Sequence, residues 1–154
     1  VSLPFTSRHT MRQRIVDDFQ LYRAQLKEVL STKCKTIALS LDVWTSKNNL
    51  PILGVIGHWL TEDFEYQEEV LEFKELEGPH SGANLADTVE ELLIELDLEH
   101  KLISITGDNA TNNERMASEL FERLQERLPE PLFRGIDSYV RCLAHILNLV
   151  VKDI

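Results

Sequence analysis

The feature that most constrains this chain is a two-residue alternation across residues 36–44. Ile37, Leu39, Leu41 and Val43 fall on one side, and Ala38, Ser40, Asp42 and Trp44 on the other. Successive side chains of a strand point to opposite faces, so the pattern predicts a strand with one apolar face. An acid inside such a strand costs several kcal/mol when buried, unless it is paired or holds a cation. That sets Asp42 apart from the other acids at once.

The flanking segments follow in a definite order. Residues 8–30 predict a helix, with Met11, Ile15, Phe19, Tyr22, Leu26 and Val29 recurring every three to four positions. After the alternating strand, Lys47, Asn48 and Asn49 predict a turn. Residues 50–61 predict a strand that is apolar on both faces and therefore central. Residues 65–76 predict a third strand, charged enough to lie at a sheet edge. Gly78 and Pro79 break the run. Residues 82–98 predict a helix whose Leu85, Val89, Leu92 and Leu96 share a stripe, with its acids on a solvated face. Residues 101–108 predict a short strand ending at Asp108. A capping box, with Thr111 as N-cap and Glu114 three residues on, predicts a helix to about Arg127. Pro129 and Pro131 follow it, and residues 138–154 begin as a strand and finish as a helix.

Three meandering strands, then helix, strand, helix, strand, helix, is the order of an RNase H-like α/β fold. Its sheet has five mixed strands: an antiparallel three-strand meander plus two parallel strands joined by helical crossovers. In that order the fourth strand lies beside the first. Asp108 shares a face with Ser104 and Thr106, so Asp42 and Asp108 converge. Two close carboxylates resist joint ionisation unless cations compensate. Hard ions such as Mg²⁺ or Mn²⁺ suit oxygen ligands. Two of them about 3.5–4 Å apart serve phosphoryl chemistry. For Asp108 alone, a turn or cap role is an equal reading.

A length of 154 residues suits one domain, expected as a leading helical segment over 1–34 and a sheet–helix core over 35–154. No apolar run approaches the roughly 20 residues of a membrane helix, and the polar start with Pro4 does not resemble a signal peptide. Cys34 and Cys142 are too few for a disulfide framework, which favours a reducing, intracellular compartment. The net charge of −10 opposes a strong grip on nucleic acid by this piece alone.

Several blocks resemble the catalytic domain of hAT-superfamily DNA transposases. They are Leu41-Asp42-Val43-Trp44-Thr45-Ser46 with Pro51-Ile52-Leu53-Gly54-Val55 and His58-Trp59; Gly78-Pro79-His80-Ser81-Gly82-Ala83-Asn84; Thr106-Gly107-Asp108-Asn109-Ala110-Thr111-Asn112-Asn113; and Arg141-Cys142-Leu143-Ala144-His145-Ile146-Leu147-Asn148-Leu149-Val150. The resemblance implies cut-and-paste transposition by a three-acid site using Mg²⁺ or Mn²⁺. Asp42 and Asp108 match the first two catalytic, metal-binding acids. Cys142 and His145 match the pair that positions DNA or shapes the site, and Trp44 stands beside them. The third acid, a glutamate, follows a helical insertion in the family and has no counterpart here. The expected chain is thus the amino-terminal portion of such a domain, or a truncated or domesticated copy, inactive by itself. Its expected partners are transposon and target DNA within a full-length protein, and a second copy of itself, with no membrane and no small-molecule substrate. The expected location is nuclear.

Blander readings stand beside these. Cys142 and His145 are spaced like half a zinc site, but four ligands are needed and Cys34 is distant. A buried Cys and a satisfied His are the commoner outcome on pattern alone. Trp44 reads as a cap on the core, His58 as a hydrogen-bonded core residue, and His80 as a loop organiser. Two other functions remain open: a domesticated nuclear binding module without catalysis, and an aspartate-using phosphohydrolase. The second is disfavoured because such enzymes carry another aspartate two residues on, where this chain has Trp44.

Overall fold

A computed structural model describes residues 7–79, 81–108 and 110–152. The chain divides into two compact units, Val1–Lys33 and Cys34–Ile154. The first is built on α1 (Arg8–Lys33), three residues longer than its periodicity predicts. The Ser7 hydroxyl accepts from the Thr10 N–H at 3.2 Å and so serves an otherwise unpaired donor of the first turn. Met11, Ile15, Phe19 and Tyr22 are exposed.

The second unit runs β1 (Ile37–Thr45), β2 (Pro51–Leu60), β3 (Tyr66–Glu75), α2 (Gly82–Leu96), β4 (Leu102–Gly107), α3 (Thr111–Arg127), a 3₁₀ turn (Gly135–Ser138), β5 (Tyr139–Arg141) and α4 (Leu143–Lys152). The sheet order is β3-β2-β1-β4-β5. The first three strands pair antiparallel, while β4 runs parallel to both β1 and β5. This is the five-stranded mixed RNase H-like sheet that the element order predicts, with charged β3 at one edge. The 47–49 turn forms as read, with Asn49 in the left-handed conformation (φ 58°) that asparagine tolerates.

The sheet is two-faced. Ile37, Leu39, Leu41, Leu53, Val55 and Ile105 are at most 5% exposed. They share the core with Leu85, Val89, Leu92 and Leu96 of α2 and Met116, Ala117, Leu120 and Leu124 of α3. The other face carries Ser40, Asp42, Trp44, Ile56, Val70 and Phe73, and there the apolar side chains remain exposed. An irregularity between Val55 and Ile56 leaves Leu71 unmatched in the register, with Val55 opposite Glu72 and Ile56 opposite Val70.

Four expectations need correction. The α2 helix stops at Leu96 rather than Leu98, because Asp97 turns left-handed and its N–H closes on the Ile94 and Leu93 carbonyls. This is a C-terminal closure that Asp can adopt. The acids between Asp87 and Glu99 are only partly solvated: Asp87 and Glu90 of α2 pair with Arg123 of α3, while Glu90 and Glu99, just past the helix, pair with Arg127. His58 is hydrogen-bonded as read, to Ser40 Oγ at 2.9 Å and to the Tyr66 hydroxyl at 2.7 Å, but it lies on the open face and not in the core. Trp44 does not cap the core. It is 39% exposed on the same open face, tilted against Phe73 with ring centroids 5.7 Å apart. Gly54 makes room for it, since a Cβ there would stand 3.2 Å from the indole. His80 lies outside the described residues.

Candidate functional site

The register of β1 and β4 pairs Ser40 with Thr106. Asp42 and Asp108 each follow their partner by two residues, so both extend the same face at the same level. They line one open cavity of about 540 Å³ together with Trp44, Cys142 and His145. The wall is completed by Ser40, Ile56, Phe73 and Asn148, among others, and includes no Lys or Arg. All five residues singled out from the sequence therefore meet at one place. Glu72 and Phe73 of β3 were not singled out. Their signal lay in a strand too charged to suggest anything beyond an edge.

Each element delivers its residue for a local reason. Asp42 is exposed at the polar end of β1, so it escapes the burial cost that first set it apart, and its case rests on convergence. Cys142 stands between β5 and α4, its N–H donating to the Gly107 carbonyl at 2.7 Å. That bond ties the start of α4 to the end of β4, and His145 sits one turn into the helix. Both are half-buried.

Asp108 is held from several sides. Its Oδ1 accepts from the Ala110 N–H at 3.0 Å and from Asn113 Nδ2 at 2.6 Å. The Tyr139 hydroxyl donates to its backbone carbonyl at 2.7 Å. Burial pushes the Tyr139 phenol up to about 12, with Asp108, Glu114 and Cys142 adding to the shift and Asn113 opposing it. The phenol is thus a neutral donor at any physiological pH. The capping box read at Thr111 does not form. Thr111 is the first residue of α3, Ala110 is the N-cap and has no side-chain cap bond, and Glu114 is taken by Arg141 of β5, whose Nε donates at 3.1 Å. Asp108 instead accepts from the N–H of Ala110, the N-cap residue itself.

Two carboxylates on one wall, with no cationic side chain beside them, suit a hard divalent cation completed by water. Among the described residues, no group of three His, Cys, Asp or Glu side chains gathers closely enough to hold a metal ion. A second hollow, about 530 Å³, lies along β3 and α2. Its acids Glu91, Asp87 and Glu90 face Lys74 and Arg123 as partners, and it contains none of the residues above.

Comparison with known proteins agrees with this fold. Residues 40–131 match the ZBED1 RNase-like domain. A Zea mays protein named as an AC transposase is 33% identical over 150 residues, covering 97% of this chain and 19% of the relative. A Talaromyces stipitatus protein named as a transcriptional regulator, tpeD, is 32% identical, covering 94% and 17%. The zinc finger BED domain-containing protein RICESLEEPER 2 of Oryza sativa subsp. japonica is 26% identical, covering 94% and 20%. The chain spans about a fifth of the length of these curated relatives.

Proposed function

Because this chain belongs to the ZBED1 RNase-like domain family, of hAT-transposase descent, we propose that its Asp42–Asp108 cleft is part of a metal-dependent centre for DNA strand cleavage and strand transfer. The observation that carries this reading is the convergence of both aspartates, from adjacent parallel strands, on one cavity with Trp44, Cys142 and His145. Asp42 and Asp108 would hold Mg²⁺ or Mn²⁺. Such ions, when bound, supply activation of the attacking oxygen and charge stabilisation of the leaving oxygen. Trp44, on the rim, offers an aromatic face to a base or sugar, while Cys142 and His145 shape the opposite wall.

Strand cleavage and transfer would need a third acid beside these two, and in a three-acid site Asp42 and Asp108 would be the first two. DNA, as transposon ends and target, is the proposed partner, and a second copy of the chain is the other. A nuclear location accords with relatives named as a transposase and a transcriptional regulator. A second reading, a domesticated nuclear binding module without catalysis, accords with relatives named as a transcriptional regulator and as a zinc finger BED domain-containing protein.

Mn²⁺ titration by calorimetry separates the two. The first reading expects weak binding that disappears in the Asp42→Asn, Asp108→Asn double variant. Identical heats from the two proteins would remove the metal centre and leave the binding module.

A further inference from the structure

We infer that Asn113 is a positioning residue for the Asp108 carboxylate, fixing which oxygen faces the cleft. The inference rests on the reading of Asp42 and Asp108 as cation ligands and adds a residue to it. Asn113 sits in the first turn of α3 and is only 6% exposed. Its side-chain amide Nδ2 donates to Asp108 Oδ1 at 2.6 Å. With the Ala110 N–H on the same oxygen, Oδ1 has two donors. Among the described residues, Oδ2 receives none.

A plain turn would explain less. The Ala110 bond alone closes an Asp-type turn two residues on, and it needs no further donor. Burying an amide to serve the same oxygen costs free energy that the turn does not require. The corner is built tightly around this contact. A Cβ on Gly107 would stand 2.5 Å from the Tyr139 hydroxyl, so only glycine lets that hydroxyl close on Asp108; Asn113 Nδ2 packs beside it at an ordinary 3.4 Å. Tyr139 then holds the backbone of Asp108 while Asn113 holds its side chain. Ligands of metal ions are commonly oriented by such outer partners.

The test compares Mn²⁺ affinity, by electron paramagnetic resonance, across the wild-type chain, Asp108→Asn, Asn113→Leu and Asn113→Gln, with urea midpoints measured in parallel. Asn113→Leu keeps the shape and loses the donor; Asn113→Gln keeps the amide. The expected result is about tenfold weaker binding for Asn113→Leu and recovery in Asn113→Gln. Wild-type affinity in a folded Asn113→Leu chain, with Asp108→Asn still defective, overturns the positioning role and leaves the metal reading intact. Absence of Mn²⁺ binding by the wild type overturns both. Should Asn113→Leu not fold, the unmodified chain decides: the Asn113 side-chain amide resonance must shift on Mg²⁺ addition with the same midpoint as binding, and a stationary resonance overturns the inference.

Discussion

At the scale of single residues, a side chain's chemistry was easier to read than its neighbours. Alternation along β1 was enough to put Asp42 on the same face as Ser40, and a strand ending in Gly107-Asp108 was enough to flag the second acid. What could not be read were the groups that hold Asp108, since Asn113 comes from the next helix and Tyr139 from another strand. The Thr111 capping box fitted the local pattern but does not form: α3 starts one residue earlier, at an Ala110 N-cap, and Glu114 is taken by Arg141, which tertiary structure brings in. The two cysteines give a prediction at this scale. Cys34 is 3% exposed, and burial pushes its thiol up, with Lys101 opposing in part. Cys142 is half-buried at the mouth of the cavity. Thiolate is the reactive form, so a disulfide reagent at neutral pH should modify Cys142 rapidly and Cys34 only on unfolding. Two equal fast phases, followed by absorbance, would show that the segment around Cys34 opens locally.

Elements were legible where hydrophobic period alone determines them. The β1, β2 and β3 meander and the inner stripes of α2 and α3 needed only alternation and three-to-four spacing. The β5–α4 boundary was illegible because a three-residue strand is too short to carry a period. The acids of α2 were misread because a helix sequence does not disclose the arginines of the next helix. The contact between α2 and α3 has a sharper feature at Gly82. A Cβ there would meet Arg115 Cβ at 2.7 Å and the Asn112 carbonyl at 2.8 Å, and the second of these is backbone. Helix propensity favours Ala over Gly by about 1 kcal/mol. Overpacking against backbone costs about 1–3 kcal/mol. Packing should win, so Gly82→Ala should lower the urea midpoint. A raised midpoint would mean that the two helices separate at no cost.

On the scale of the whole molecule, charge is divided unevenly. The α1 helix has six Lys and Arg against three acids, while residues 34–154 have ten against twenty-three. The cleft follows the acidic majority, since no Lys or Arg lines it. A phosphate backbone approaching Asp42 and Asp108 therefore meets repulsion unless cations stand between them, and affinity for DNA has to come from elsewhere. Counterion release sets the scale. Each neutralised phosphate contributes about 0.9 to the slope of log affinity against log salt, so six cations on α1 allow a slope of at most about 5. Ordinary non-specific binding lies between about 10⁻⁴ and 10⁻⁶ M at physiological salt. This chain should fall at or beyond the weak end, with a dissociation constant above about 100 µM for a duplex of about 20 base pairs followed by fluorescence anisotropy. Micromolar binding with a slope near the limit would assign the grip to α1. Micromolar binding that needed Mn²⁺ and was lost in Asp42→Asn would assign it to the cleft, with the metal acting as the bridge between carboxylate and phosphate.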